Sequence, residues 1–187
     1  MDTINSNSEL HMTRFRALRL GTVLLILACT VGCDQAAKHF ARIELGQSGS
    51  QSLPGGFVEF TLAENPGAFL SLGAALPAVL RDAFFTVAVG LGLAGLLVFV
   101  LCCQGIPRLS LLGLTLILAG GMSNLVDRLA RHGLVTDFLV VRAGPLQTGV
   151  FNLADLAIVV GGLTLALSLQ VARGKHGARS DGESKVD

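Results

Sequence analysis

The sequence predicts a membrane all-α protein, a bundle of four transmembrane helices carrying a small extracytoplasmic β element. Three observations lead there. Of 187 residues, 51% are hydrophobic and only 14% charged, where a soluble domain carries roughly 25% charged residues. Mean hydropathy is +0.65, and four apolar runs reach or approach the ~20 residues that cross a hydrocarbon core of about 30 Å. Between the first and second runs lies a long segment with turn signals and a strand-like alternation. The length suits one domain. The formal net charge of +1 gives no reason to expect a nucleic-acid partner.

Residues 1–12 are polar and are expected to form a disordered cytoplasmic tail. Residues 13–172 would form the four-span domain. The first apolar run, Leu20 to Cys33, is short, so the first span is expected over about 20–40, continuing through Asp34, Gln35 and Lys38, with Arg19 snorkelling at its other end. The second span is expected over about 83–106 and stops at Pro107, which cannot continue a helix. The third covers about 109–127 and ends at Asp127-Arg128. The fourth covers about 151–172, with Asp155 in its first turns. Glycine is frequent throughout, as close helix packing in a membrane allows. Residues 173–187 are polar again and are expected to be a second disordered cytoplasmic tail. The outer segment, about 41–80, holds the turn signals Pro54-Gly55-Gly56 and Asn65-Pro66-Gly67, and between them Phe57 to Leu62 alternates as a short strand would.

A different reading of the N-terminus is available. Arg14, Arg16 and Arg19, then Leu20 to Ala28, then Cys29 or Cys33, have the layout of a secretory signal ending at a lipid-modified cysteine. Three further apolar runs argue against it, because an anchored soluble lipoprotein has no use for them. Cys29, Cys33, Cys102 and Cys103 lie in or beside apolar runs without a repeated metal-binding pair, so they read as small buried hydrophobes rather than metal ligands. His11, His39, His132 and His176 fall in flanks or loops, where solvated roles are expected.

Four spans put both termini on one side. Arg14, Arg16 and Arg19 precede the first span and Arg173, Lys175 and Arg179 follow the last, so the positive-inside rule puts both tails in the cytoplasm. Parity then gathers Asp34, Asn65, Asn124, Asp127, Arg128, Asp137, Asn152 and Asp155 near the opposite surface. Ionisable residues at membrane depth cost about 2.5–3.5 kcal/mol each on insertion scales, which makes them functional candidates. Asn124 and Arg128 share a helix face, as do Asn152 and Asp155.

Two adjacent carboxylates cannot both ionise cheaply; one keeps its proton, giving an acid and a base from one residue type. Such a pair can activate water against an amide without metal or cofactor. Position alone leaves Asp34, Asp127, Asp137 and Asp155 all eligible. Asp127 beside Arg128, and Asp34 four residues before Lys38, also invite structural ion pairs. Asp155 has no cationic neighbour in sequence. Two other classes of function compete: a small proton-coupled transporter, which would want polar residues deep in several spans, and a structural membrane protein whose aspartates only pair with Arg128 and Lys38.

Five motifs occur in order: Asp34-Gln35-x-x-Lys38, Asn65-Pro66-Gly67-Ala68, Gly120-Gly121-x-x-Asn124-x-x-Asp127-Arg128, Val135-x-Asp137-Phe138 and Phe151-Asn152-x-Ala154-Asp155. Over roughly residues 20–172 they resemble the lipoprotein signal peptidase family, the type II or prolipoprotein signal peptidases. The resemblance implies a bacterial inner-membrane aspartic endopeptidase, a monomer among membrane lipids, working without cofactor or metal. Its substrates would be prolipoproteins, cut just before a diacylglyceryl-modified cysteine. By motif position the catalytic pair falls on Asp137 and Asp155. Asn124, Arg128 and Asn152 match supporting polar residues; Asp34, Lys38 and Asn65 match structural or substrate-contacting ones; Asp127 matches a motif member outside the pair. The chain departs from the common pattern over Asn65 to Ser71, with a proline and a shifted aromatic, and over residues 139–150, which lack the usual aromatics. Those departures bear on the substrate groove rather than on the chemistry.

Overall fold

The computed structural model describes the backbone of residues 2–67 and 75–183. Ala68 of the second motif, and residues 69–71 of the stretch that departs from the common pattern, lie outside the described residues. Helix α1 spans Asp2–Ser48. Strands β1 (Gln51–Ser52) and β2 (Val58–Asn65) follow. The second membrane helix is built in three parts: α2 (Ala78–Asp82), a π-helical segment (Ala83–Ala88) and α3 (Val89–Cys102). Helix α4 covers Arg108–Ala130, strands β3 and β4 cover Val135–Ala143 and Leu146–Gln147, and α5 covers Leu153–Glu183.

Among the described residues, four stretches of helix are long and apolar enough to cross a membrane: Arg16–Ser48, Val79–Cys102, Arg108–Ala130 and Leu153–Gly174. They correspond to the four expected spans, each with shifted ends. The first runs eight residues past 40, so residues 41–48, expected in the outer β segment, are helix. Their apolar members explain this: Ala41 and Leu45, one turn apart, are buried beneath the sheet together with Phe138. The second span ends at Cys102, ahead of the expected 106. An extended link with Gly105 at φ 79° then leads to Pro107, which caps α4 rather than merely stopping the helix before it. Helical backbone also runs into both tails, where composition predicted disorder. Each tail prolongs a helix that already exists, so it needs no new nucleus.

The bundle packs through small residues. Gly113 and Gly120 of α4 face Gly161 and Ala154 of α5. A Cβ on Gly113 would stand 2.7 Å from the Gly161 carbonyl oxygen, and one on Gly120 would overlap that of Ala154. Van der Waals contact between backbones replaces the hydrophobic drive that lipid cannot supply. Val23, Leu27, Val100, Leu118 and Ala119 form the core of the half nearer Arg19, while Leu24, Leu91, Leu163 and Leu167 are all more than half exposed, the outer face a bilayer would cover. The cysteines correct their expected burial: Cys29, Cys33 and Cys102 are exposed and Cys103 is partly so. In a membrane protein a small apolar side chain can face lipid as well as protein.

The sheet is antiparallel in the order β1-β2-β3-β4. The alternating run forms a strand that starts at Val58, one residue after Phe57, and extends to Asn65. Half of the sheet comes from Val135–Gln147, a segment the expected outer element did not include. Between Phe60 and Ala63 the register against β3 shifts by one residue: Phe60 pairs with Leu139, but Ala63 pairs with Asp137 and Asn65 with Val135. Such a bulge exchanges which side chains of β2 share a face with β3.

Candidate active site

Asp137 and Asp155 reach the site from different elements and are joined through one amide. Asp137 lies on β3, 1% exposed, and Asp155 lies in the first turn of α5, 5% exposed. Asn152 immediately precedes α5 and caps it. Its Oδ1 accepts from the Asp155 backbone N–H at 2.9 Å, while its own N–H donates to Asp155 Oδ2 at 3.2 Å. This reciprocal arrangement is a capping box built from Asn and Asp. The Asn152 Nδ2 donates to Asp137 Oδ1 at 2.6 Å. One residue therefore starts the helix and holds both carboxyl groups.

Each carboxyl group has a second amide donor. Asn65 Nδ2 donates to Asp137 Oδ2 at 2.8 Å, and Asn124 Nδ2 donates to Asp155 Oδ1 at 2.8 Å. Asn65 is in place because of the bulge: it and Asp137 are diagonal neighbours on one face, two register positions apart. Asn65 Oδ1 accepts from the Gly67 backbone at 2.9 Å, closing the turn after β2. Asn124 is oriented by its other end, where Oδ1 accepts from Lys38 Nζ at 2.9 Å and from Asn152 Nδ2 at 3.2 Å.

Behind these amides sits a buried ionic cluster. Lys38, 0% exposed, contacts Asp34 at 2.7 Å and Asp127 at 3.1 Å. Asp34 also accepts from Ser123 Oγ at 2.7 Å and from the Ala154 backbone at 2.9 Å, tying α1 to α4 and to the start of α5. Asp127 accepts from the Thr136 backbone at 3.0 Å and from Gln35 at 3.1 Å. The two carboxylates face one ammonium, and each of their four oxygens accepts at least one hydrogen bond or ion-pair contact, the condition under which buried charge is tolerated.

The expected Asp34–Lys38 pair is present. The pairing expected of Asp127 is corrected, since its ammonium partner is Lys38 rather than Arg128. Arg128 points elsewhere: its Nη2 donates to the Gly67 carbonyl at 2.6 Å, and its guanidinium stacks 5.6 Å from the centroid of Phe85 in the π-helical segment. Among the described residues the buried Arg128 Nε has no hydrogen-bond partner.

Burial pushes the Asp137 carboxyl up from its ordinary 3.8 to about 6, and the charge on Asp155 adds to the rise, while the bonds from Asn65 and Asn152 and the charge of Lys38 oppose it. A carboxyl group with that value exchanges its proton near neutral pH, as a general acid–base requires.

All eight polar residues that parity gathers at one surface are buried there. Sequence reasoning left out Ser123, Thr136 and Phe85 and gave Gln35 no role. Ser123 and Thr136 occupy unspecified positions within the motifs, and Gln35 stands inside one. No local signal marks Phe85.

A family model described as signal peptidase (SPase) II matches residues 26–171. The chain belongs to the signal peptidase II family. It is 38% identical over 150 residues to the lipoprotein signal peptidase of Syntrophus aciditrophicus (strain SB), covering 80% of this chain and 88% of that protein. To the lipoprotein signal peptidase of Moorella thermoacetica it is 34% identical over 157 residues, covering 82% and 96%. A solved bacterial membrane enzyme has the same fold, with a TM-score of 0.70 at 23% identity over 83% of this chain and 91% of that one. As a signal peptidase II, the chain is a multi-pass membrane aspartic endopeptidase that removes signal peptides. The transporter alternative finds no support.

Proposed function

We propose that Asp137 and Asp155 are the catalytic pair of this peptidase, sharing one proton between them. The unprotonated carboxylate takes a proton from a water molecule as the water attacks the scissile carbonyl carbon. The protonated one hydrogen-bonds the carbonyl oxygen and, as the tetrahedral intermediate collapses, a proton passes to the departing amine. The observation that carries this reading is Asn152, whose amide bonds Asp137 while its backbone and carbonyl oxygen bracket Asp155. Asn65 and Asn124 hold the outer oxygens of the two groups, leaving the pair little freedom to turn away from each other. Lys38 and Asp34 position Asn124 and the start of α5 rather than touching substrate. Arg128 orders the turn at Gly67.

The substrates are prolipoproteins, cut before the diacylglyceryl-modified cysteine, as the names of the relatives and the motif resemblance suggest. The lipid would hold that cysteine at membrane depth, where the pair lies. The protein would act as a monomer in the bacterial inner membrane, with residues 13–172 as the peptidase domain, both tails cytoplasmic and the sheet and pair extracytoplasmic; the basic flanks of the first and last spans support that orientation.

Replacing Asp137 or Asp155 by Asn tests the assignment. Purified in detergent with a lipidated precursor peptide, either variant is expected to lose cleavage by a factor of about a thousand or more, as loss of a group acting in concert with another does. Activity within a few-fold of the parent in either variant would remove that residue from the pair.

A further inference from the structure

We propose that the groove between α1 and the C-terminal end of α3 binds an anionic phospholipid, with its phosphate on Arg16 and Arg19 and an acyl chain along Leu20 and Leu101. The groove has a volume of about 500 Å³ and is lined by these four residues with Val23, Val100, Cys102 and Gln104. It lies at the end of the bundle away from the catalytic pair. Arg19 is fifteen residues before Asp34 on α1, about 22 Å along a helix rising about 1.5 Å per residue.

Three features fit this occupant. The floor is closed, because Val23 is 1% exposed and Val100 0%, while Leu20 and Leu101 are 46% and 45% exposed and offer apolar walls. Arg16 and Arg19 are three residues apart on α1 and so share a face. Arg19 Nη2 donates to the Val100 carbonyl at 2.6 Å, which fixes the guanidinium over the end of α3. A guanidinium has five N–H donors, and the rest of those on Arg19 have no partner among the described residues. The local charge is of one sign. Residues 14–33 and 84–126 hold Arg14, Arg16, Arg19 and Arg108 and no Asp or Glu. A phosphate there meets no carboxylate from these two stretches, and an acyl chain attached to it can lie along the apolar walls of the groove. A zwitterionic lipid would bring its own cation against the arginines.

The chain has no tryptophan, so Leu101→Trp supplies a single fluorescent reporter in the groove of the otherwise intact protein. In nanodiscs, phosphatidylglycerol with brominated acyl chains is expected to quench it at a mole fraction about thirtyfold lower than brominated phosphatidylcholine, the scale of two basic side chains near a lipid surface. Adding Arg16→Gln and Arg19→Gln should bring the two lipids to parity, and Arg16→Gln alone should narrow the gap. Precursor cleavage by the same preparations reports their fold. If the double variant has lost cleavage, the Arg16→Gln protein, which keeps the Arg19 bond to Val100, decides. Equal quenching by both lipids, as ordinary annular lipid would give, overturns the proposal. So does a preference that survives the substitutions. Neither result depends on which residues cleave the precursor.

Discussion

Asn152 performs three tasks that are usually divided among several residues: it caps a helix, orients one carboxyl group and bonds the other. The residues around it share a logic in which amides touch the carboxyl groups and full charges stand one layer behind. Lys38 meets Asp34, Asp127 and Asn124, so its charge is largely answered before its field reaches the pair. That lets burial dominate at Asp137, whose carboxyl rises to about 6. Since this value exceeds the ordinary 3.8, the folded protein binds more protons than the unfolded chain between these values. Stability from this group is therefore full below about pH 4 and lost as pH rises through about 6. A carboxyl moved that far represents about 3 kcal/mol. Asp137→Asn removes the titration, at the cost of one amide facing another. Thermal unfolding in detergent should show the variant gaining on the parent as pH goes from about 4 to about 7. A gap that stays constant over this range would mean that Asp137 is not held neutral by burial.

At the scale of elements, the site depends on two close fits. One is the bulge in β2. With the register of Phe60 continued, Glu64 rather than Asn65 would stand diagonally across from Asp137; the shift substitutes an amide donor for a third carboxylate. The other is the contact of α4 with α5. Gly120 lies one turn before Asn124 and faces Ala154, the neighbour of Asp155, so the distance between these helices sets the 2.8 Å bond from Asn124 to Asp155. A Cβ at Gly120 would meet the Ala154 carbonyl and Ile158 Cγ1, the latter at 2.8 Å. Gly120→Ala is expected to cut cleavage at least tenfold, since a displacement of about 1 Å in a catalytic group can cost a hundredfold. Gly92→Ala, with nothing within 4 Å of its Cβ, should leave cleavage unchanged in the same assay. Equal activity of the two variants would show that the α4–α5 spacing does not govern the site.

For the whole molecule, topology is the governing fact. Four spans bring the ends of α1 and α4 and the start of α5 to one surface, and the sheet closes over them. The proposed orientation has a direct test. A reporter that fluoresces only in the cytoplasm should be active when fused to either terminus, and a cysteine-specific probe unable to cross the membrane should label Gly56→Cys from outside in a background freed of the native cysteines. Labelling only after lysis, or one silent terminus, would reverse or break the assumed parity.

The four spans, their order and the shared end of the bundle at which the polar residues gather are legible in the chain alone, because hydropathy and parity are properties of local composition and chain direction. The sequence also contained the motifs from which the resemblance to the family follows, although position alone left four aspartates eligible. The partnerships between side chains come from the three-dimensional packing. Asp127 is joined to Lys38, 89 residues before it, rather than to its neighbour Arg128. Val135–Gln147 supplies half of a sheet whose other half lies beyond two membrane helices. Asn65 reaches Asp137 only through a one-residue register shift. Each depends on distances between segments far apart in the chain. Packing fixes those distances, and no periodicity within a single segment records them.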